Sequence, residues 1–105
     1  MSVTIFSELK DKYPEIISQM KPTFTSHEFI LTLAQAYQVE YVDALCASRN
    51  RVHRGKRTPF RYVHNQLANL LKAFPELVRK LEEVDSVDIF GRPNKCAKWE
   101  KINPV

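Results

Sequence analysis

Seven positively charged side chains and no acid lie between Arg49 and Ala73. They start in the stretch 49–57 and continue into a segment with helical periodicity. Clustered charge of one sign raises the local potential far more than the same charge spread over a surface. A surface of this kind suits a polyanion such as a phosphate backbone. The seven cations are Arg49, Arg51, Arg54, Lys56, Arg57, Arg61 and Lys72.

The rest of the chain has a different charge pattern. Residues 1–48 carry six acids against three bases, and residues 74–91 carry five against two. Residues 92–105 carry one acid against four bases. The formal net charge of +4 therefore conceals two basic blocks in a slightly acidic body.

The start of the helical segment is unusual for its charge. A helix N-terminus has unpaired amides and a partial positive charge, which favours acidic neighbours. This chain instead places Lys56, Arg57 and Arg61 there, at a cost of about a few tenths of a kcal/mol per charge. The arrangement becomes favourable when a phosphate binds. The alternative is a solvated basic loop that serves only solubility.

The outer face of the same segment carries side chains that can recognise base edges. At 100° per residue, Arg61, Asn65, Asn69 and Lys72 lie opposite the apolar stripe, with Gln66 beside them. Asparagine and glutamine can pair bidentately with adenine, and arginine with guanine. The alternative is an ordinary hydrated helix face.

A second basic group surrounds a turn near the C-terminus. Arg92 lies within the turn-forming residues 91–94, and Lys95 and Lys98 follow them. We expect these cations to contact phosphates or enter a minor groove. The alternative is a charged hairpin edge that discourages aggregation.

No pattern indicates catalysis, a metal or a cofactor. The histidines and cysteines lack the close spacing of a zinc site or of a thiol nucleophile with its base. The chain has no glycine-rich phosphate loop. We therefore expect a protein that is not an enzyme and binds neither metal nor cofactor. The residues considered are His27, His53, His64, Cys46 and Cys96.

Helical periodicity predicts the elements that position these residues. An N-terminal apolar stripe is interrupted by Pro14, which either kinks one helix or starts a second. Thr25 and Glu28 form a capping box, with Phe24 and Phe29 as its hydrophobic staple. The predicted buried faces are Phe6, Leu9, Tyr13, Ile16, Ile17 and Met20 in the first segment; Phe29, Ile30, Leu33, Ala34 and Tyr37 in the next; Tyr41, Val42, Leu45 and Cys46 near 40–48; and Phe60, Val63, Leu67, Leu70, Leu71 and Phe74 in the helix capped by Thr58.

The C-terminal part predicts a β-hairpin. Residues 87–90 and 96–102 have strand character, and residues 91–94 form the turn between them. Residues 76–84 fit either a short helix or a strand. Trp99 is expected to pack against the helices.

These elements predict one domain, residues 1–105, that is mostly α with a small β-hairpin. It consists of an N-terminal helical extension (1–21), a three-helix core (23–74), and a short helix or strand plus hairpin (75–102). No apolar run is long enough to span a bilayer, and no signal sequence is visible. We therefore expect a cytoplasmic protein without membrane contact, whose two cysteines are reduced and partly buried.

The order of three helices and a terminal hairpin, with a polar and basic third helix, resembles the winged helix-turn-helix superfamily. That resemblance implies duplex DNA as partner, with the third helix in the major groove, the hairpin wing on the flanking backbone, and a role in transcription regulation. The stripe from Phe6 to Met20 could form a homodimer surface or cap the core. Two other interpretations remain: a winged-helix module that binds a protein partner and not DNA, and an RNA-binding protein.

Overall fold

The computed structural model describes residues 2–48 and 59–102 of the chain. This part is mostly helical with a small antiparallel sheet, as the sequence predicts. None of its helices has the length and apolarity that crossing a membrane requires. The helices are α1 (Ser2–Lys10), α2 (Tyr13–Gln19), α3 (Ser26–Ala36), α4 (Gln38–Ser48) and α5 (Pro59–Leu70), and the strands are β1 (Thr23–Thr25), β2 (Val78–Val87) and β3 (Pro93–Lys101).

The N-terminal segment forms two helices, which decides between the two alternatives for Pro14. α2 begins at Tyr13, so Pro14 occupies its second position, where the missing amide is not needed. Leu9, Tyr13, Ile16 and Ile17 are buried in the core of the chain itself. The N-terminal stripe therefore completes the monomer's core.

The predicted start of α3 is confirmed. The Thr25 side chain accepts a hydrogen bond from the Glu28 amide at 3.1 Å, and the Thr25 amide donates to the Glu28 carboxylate at 2.8 Å. The staple rings of Phe24 and Phe29 lie 6.1 Å apart. This box fixes where α3 leaves β1 and therefore how the helices meet the sheet.

The predicted buried face of α4 is partly wrong. Val42 is 52% exposed and Cys46 is exposed, whereas Ala44 and Ser48 are buried. α4 packs mainly against α1, and small side chains allow two helices to approach closely. This packing selects the Ala44 and Ser48 side of a helix that has apolar residues in several directions.

α5 begins at Pro59, as predicted, but only some residues of its apolar stripe are fully buried. Val63, Leu67 and Leu71 are fully buried, while Leu70 and Phe74 are only partly buried. Phe60, predicted to be buried, is 43% exposed. The helix ends at Leu70, and a single 3₁₀ turn over Leu71–Ala73 leads into the sheet. The predicted cap Thr58 lies outside the described residues.

The C-terminal hairpin exists, but its strand boundaries differ from the prediction. Residues 78–87 form β2, so the undecided segment 76–84 is mostly strand. The turn is at residues 88–92, where the sequence predicted strand for 87–90. The Gly91 amide donates to the Asp88 carbonyl, and Gly91 has a φ of +85°, which favours glycine.

A third strand, β1, was not predicted. The sheet order is β1-β3-β2, and both pairings with β3 are antiparallel. Three residues are too few for a period-2 pattern, so only the pairing with β3 reveals this strand. Trp99 of β3 is buried against the helices, as expected, and its indole nitrogen donates to the Ser26 hydroxyl at 2.9 Å.

Candidate functional site

The predicted site residues fall into two groups. The structure describes eight of them, on α5, on the 3₁₀ turn and on β3 or the turn before it. The cations of residues 49–57 lie outside the described residues, so the prediction that they bind a polyanion rests on the sequence alone. These are Arg49, Arg51, Arg54, Lys56 and Arg57.

The polar face of α5 forms one wall of a groove. Arg61, Asn65 and Asn69, and Lys72 on the following turn, are all exposed. All four side chains line a single groove of about 1100 Å³ between α5 and the sheet. The helical spacing read from the sequence therefore placed these four residues on one face correctly.

The opposite wall comes from the sheet and its turn. Arg92 and Lys95 line the groove across from α5, so cations from both predicted basic blocks line it. Lys80 of β2 also lines the groove and was not predicted. It pairs with Trp99 of β3, which also lines the groove, so the two side chains lie on the same face of the sheet.

Two predicted residues do not belong to this groove. Gln66 is half-buried on α5 and is not part of the lining. Lys98 is half-buried on β3 beside Trp99, whose side chain packs against the helices. Because adjacent strand residues point to opposite faces, Lys98 lies on the outer face of the sheet.

The groove has a positive balance of charge. Among its described lining residues, two carboxylates, those of Glu83 and Asp88, face five cations. Asp88 also shapes the turn, since its carboxylate accepts hydrogen bonds from the amides of Arg92 (3.0 Å) and Phe90 (2.9 Å). The Arg92 amide in particular holds the pKa of Asp88 below its usual value. The five cations are Arg61, Lys72, Lys80, Arg92 and Lys95.

An aromatic cluster, which the sequence did not indicate, lies at one end of the groove. The rings of Phe60 and Phe90 meet edge to face with centroids 4.5 Å apart. His64 stacks on Phe90 at 5.9 Å with an interplanar angle of 14°. Both phenylalanines remain about half exposed, and all three residues line the groove.

His64 is the most strongly perturbed histidine of the described residues. Burial lowers its pKa to about 4, against an opposing effect of Asp88. Its Nε2 lies 2.6 Å from the hydroxyl of Tyr41 on α4. His64 is therefore neutral at pH 7 and joins α4, α5 and the hairpin turn.

The lowered pKa of His64 predicts that the folded chain becomes less stable in acid. The folded chain disfavours the His64 proton, whereas the unfolded chain binds it near its ordinary pKa of 6.5. The free energy of unfolding should therefore fall as the pH drops from 6.5 towards 4. We expect a loss of about 1–2 kcal/mol from this residue once solvent screening of a partly exposed ring is allowed for.

Denaturant unfolding across this pH range measures the loss. His64→Gln should flatten the stability profile, and His27→Gln serves as a control for the second histidine whose pKa burial lowers. An unchanged acid slope in His64→Gln would show that this ring does not carry the effect.

Within residues 2–48 and 59–102, no three histidine, cysteine or acidic side chains come together as a metal would require. Cys46 and Cys96 are free thiols, the first exposed rather than partly buried as predicted.

Comparison of the chain with known proteins gave no match. No protein-family model, no curated protein and no solved structure is significantly similar to it.

Proposed function

We propose that the chain binds nucleic acid, and specifically duplex DNA, through the groove between α5 and the hairpin. The observation that supports this most strongly is that described cations from two blocks distant in sequence line one groove. Arg61 and Lys72 lie on one wall and Arg92 and Lys95 on the other. Cations held on two sides of one groove suit a phosphate backbone better than scattered surface charge does.

In this proposal α5 enters the major groove. Asn65 and Asn69 present amide side chains that can bind bidentately to adenine, and Arg61 can bind guanine. The cations of the hairpin then contact phosphates, which position the helix without reading sequence. Such a protein could act as a small transcriptional regulator.

The winged-helix resemblance supports the same arrangement. The order α3, α4, α5 and then a hairpin is the order that the resemblance implies, and α5 corresponds to its third helix. Its exposed face is polar and basic rather than acidic.

Fluorescence anisotropy of a labelled duplex across a salt series tests the proposal. If about seven phosphates are neutralised, the logarithm of the affinity should fall with the logarithm of the salt concentration with a slope near −6. A flat salt response would contradict binding through phosphates, and absence of binding at low salt would reject the proposal.

One observation favours a second candidate, a module that binds a protein partner. On α4, Val39 is 70% exposed and Val42 is 52% exposed, and the exposed Cys46 follows one turn later. Exposed apolar side chains aligned on one helix are typical of interaction surfaces. This candidate predicts that the chain does not bind duplex DNA at physiological salt.

A further inference from the structure

The aromatic end of the groove has features that pairing with a regular duplex does not use. Phe60 and Phe90 keep 43% and 52% of their surfaces exposed although they contact each other. A paired base inside a duplex has both faces covered by its neighbours in the stack and cannot present a face to these rings. A base that is unpaired has a free face for stacking.

Neighbouring groups hold the rings of Phe90 and His64 in place. His64 stacks on Phe90, and the Tyr41 hydroxyl holds the His64 ring from the α4 side. The turn fixes Phe90 itself, because its amide donates to the Asp88 carboxylate at 2.9 Å. A surface positioned in advance loses little entropy when a ligand binds.

Charges flank the rings in the arrangement that a nucleotide needs. Arg61 follows Phe60 on α5, Arg92 follows Phe90 by two residues, and both arginines line the groove. A nucleotide joins a flat apolar base to a phosphate, so it can contact a ring and a neighbouring cation together. An apolar peptide would cover this charged groove without bringing an acid or a phosphate to its cations.

We infer that Phe60, His64 and Phe90 form a stacking site for an unpaired nucleobase beside the duplex-binding surface. The inference rests on the proposed function and makes it more specific. The preferred ligand is a duplex that continues into a single-stranded tail or contains unpaired bases. Stacking of one base on an aromatic side chain strengthens binding by about tenfold or more.

Binding of three labelled probes at one salt concentration tests the inference. The first probe is a blunt duplex, the second is the same duplex with a short single-stranded tail, and the third carries an abasic tail with the same phosphates. The tailed duplex should bind about tenfold more tightly than the blunt one, in line with one stacked base. The abasic tail should lose most of this gain, because it retains the charge but has no base to stack.

Two variants of Phe90 locate the effect. Phe90→Leu keeps apolar bulk at the turn without an aromatic face, and should reduce the ratio of tailed-duplex to blunt-duplex affinity from about tenfold to near one. Phe90→Tyr keeps the ring and should retain the preference. Thermal melting of both variants checks that the turn still folds.

The outcomes separate the inference from the proposed function. Equal binding of the blunt and tailed duplexes, or equal gain from the normal and abasic tails, would overturn the stacking site and leave duplex binding intact. Retention of the tail preference in Phe90→Leu would also overturn it. Failure of the wild-type chain to bind any probe would reject both.

Discussion

Reversing the charges of Lys72 and Lys95 together is expected to weaken duplex binding about a hundredfold at about 0.1 M salt. The two lysines lie on opposite walls of the groove, on the turn after α5 and on β3. Each neutralised phosphate contributes roughly tenfold at this salt concentration through counterion release, and the introduced carboxylates add repulsion. Anisotropy of a labelled duplex with Lys72→Glu/Lys95→Glu measures the loss.

A control variant with the same net charge isolates the role of the groove. Lys10 and Lys21 are exposed and lie outside the groove lining. Lys10→Glu/Lys21→Glu should therefore weaken binding by much less, through the overall field alone. Similar losses in the two double variants would show that total charge, and not the groove, governs binding.

Replacing Tyr13 by alanine is expected to lower the free energy of unfolding by about 3–5 kcal/mol. Tyr13 is fully buried, and its ring lies 4.7 Å from that of Phe29 and 5.5 Å from that of Phe74. Its hydroxyl donates to the carbonyl of Leu67 on α5. One side chain of α2 thus joins α3, α5 and the turn that leads to the sheet.

Denaturant unfolding monitored by circular dichroism measures this effect. Gln19→Ala, an exposed change on the same helix, should stay within about 0.5 kcal/mol of the wild type. A similarly small effect of Tyr13→Ala would mean that α1 and α2 are an appendage and not part of the core.

The parts of the fold that the sequence predicted well are those determined by local rules. The capping box of α3 depends on residues three positions apart, and the polar face of α5 depends only on helical spacing. Both are confirmed by the structure. The sequence therefore predicts the polar residues of α5 and the basic residues of the hairpin, but not that they line one groove.

The predicted buried faces are wrong where contacts between residues distant in sequence determine the packing. On α4 the apolar residues point in several directions, and the packing of α1 selects the face with Ala44 and Ser48. The sequence predicts a buried Phe60, because this residue continues the apolar stripe of α5. At that point the helix instead meets Phe90 of the hairpin turn, which leaves the ring half exposed.

The sheet likewise depends on contacts that local sequence patterns do not reveal. Residues 78–87 carry charges at many positions, so neither a helical nor a strand period is clear. Pairing with β3 makes them a strand, and the pairing of Lys80 with Trp99 places Lys80 on the face of the sheet that lines the groove. No local pattern marks Lys80 or the aromatic cluster as part of the site, because both depend on pairing across the hairpin.

In the proposed complex, cations on both walls of the groove contact phosphates of one ligand. The most direct test compares the salt dependence of duplex binding in the wild-type chain and in Lys72→Glu/Lys95→Glu. If both lysines contact phosphates, the slope should become less steep by about 2, because each lost contact removes about 0.9. Equal slopes would show that these lysines contact no phosphate and would contradict binding in the groove.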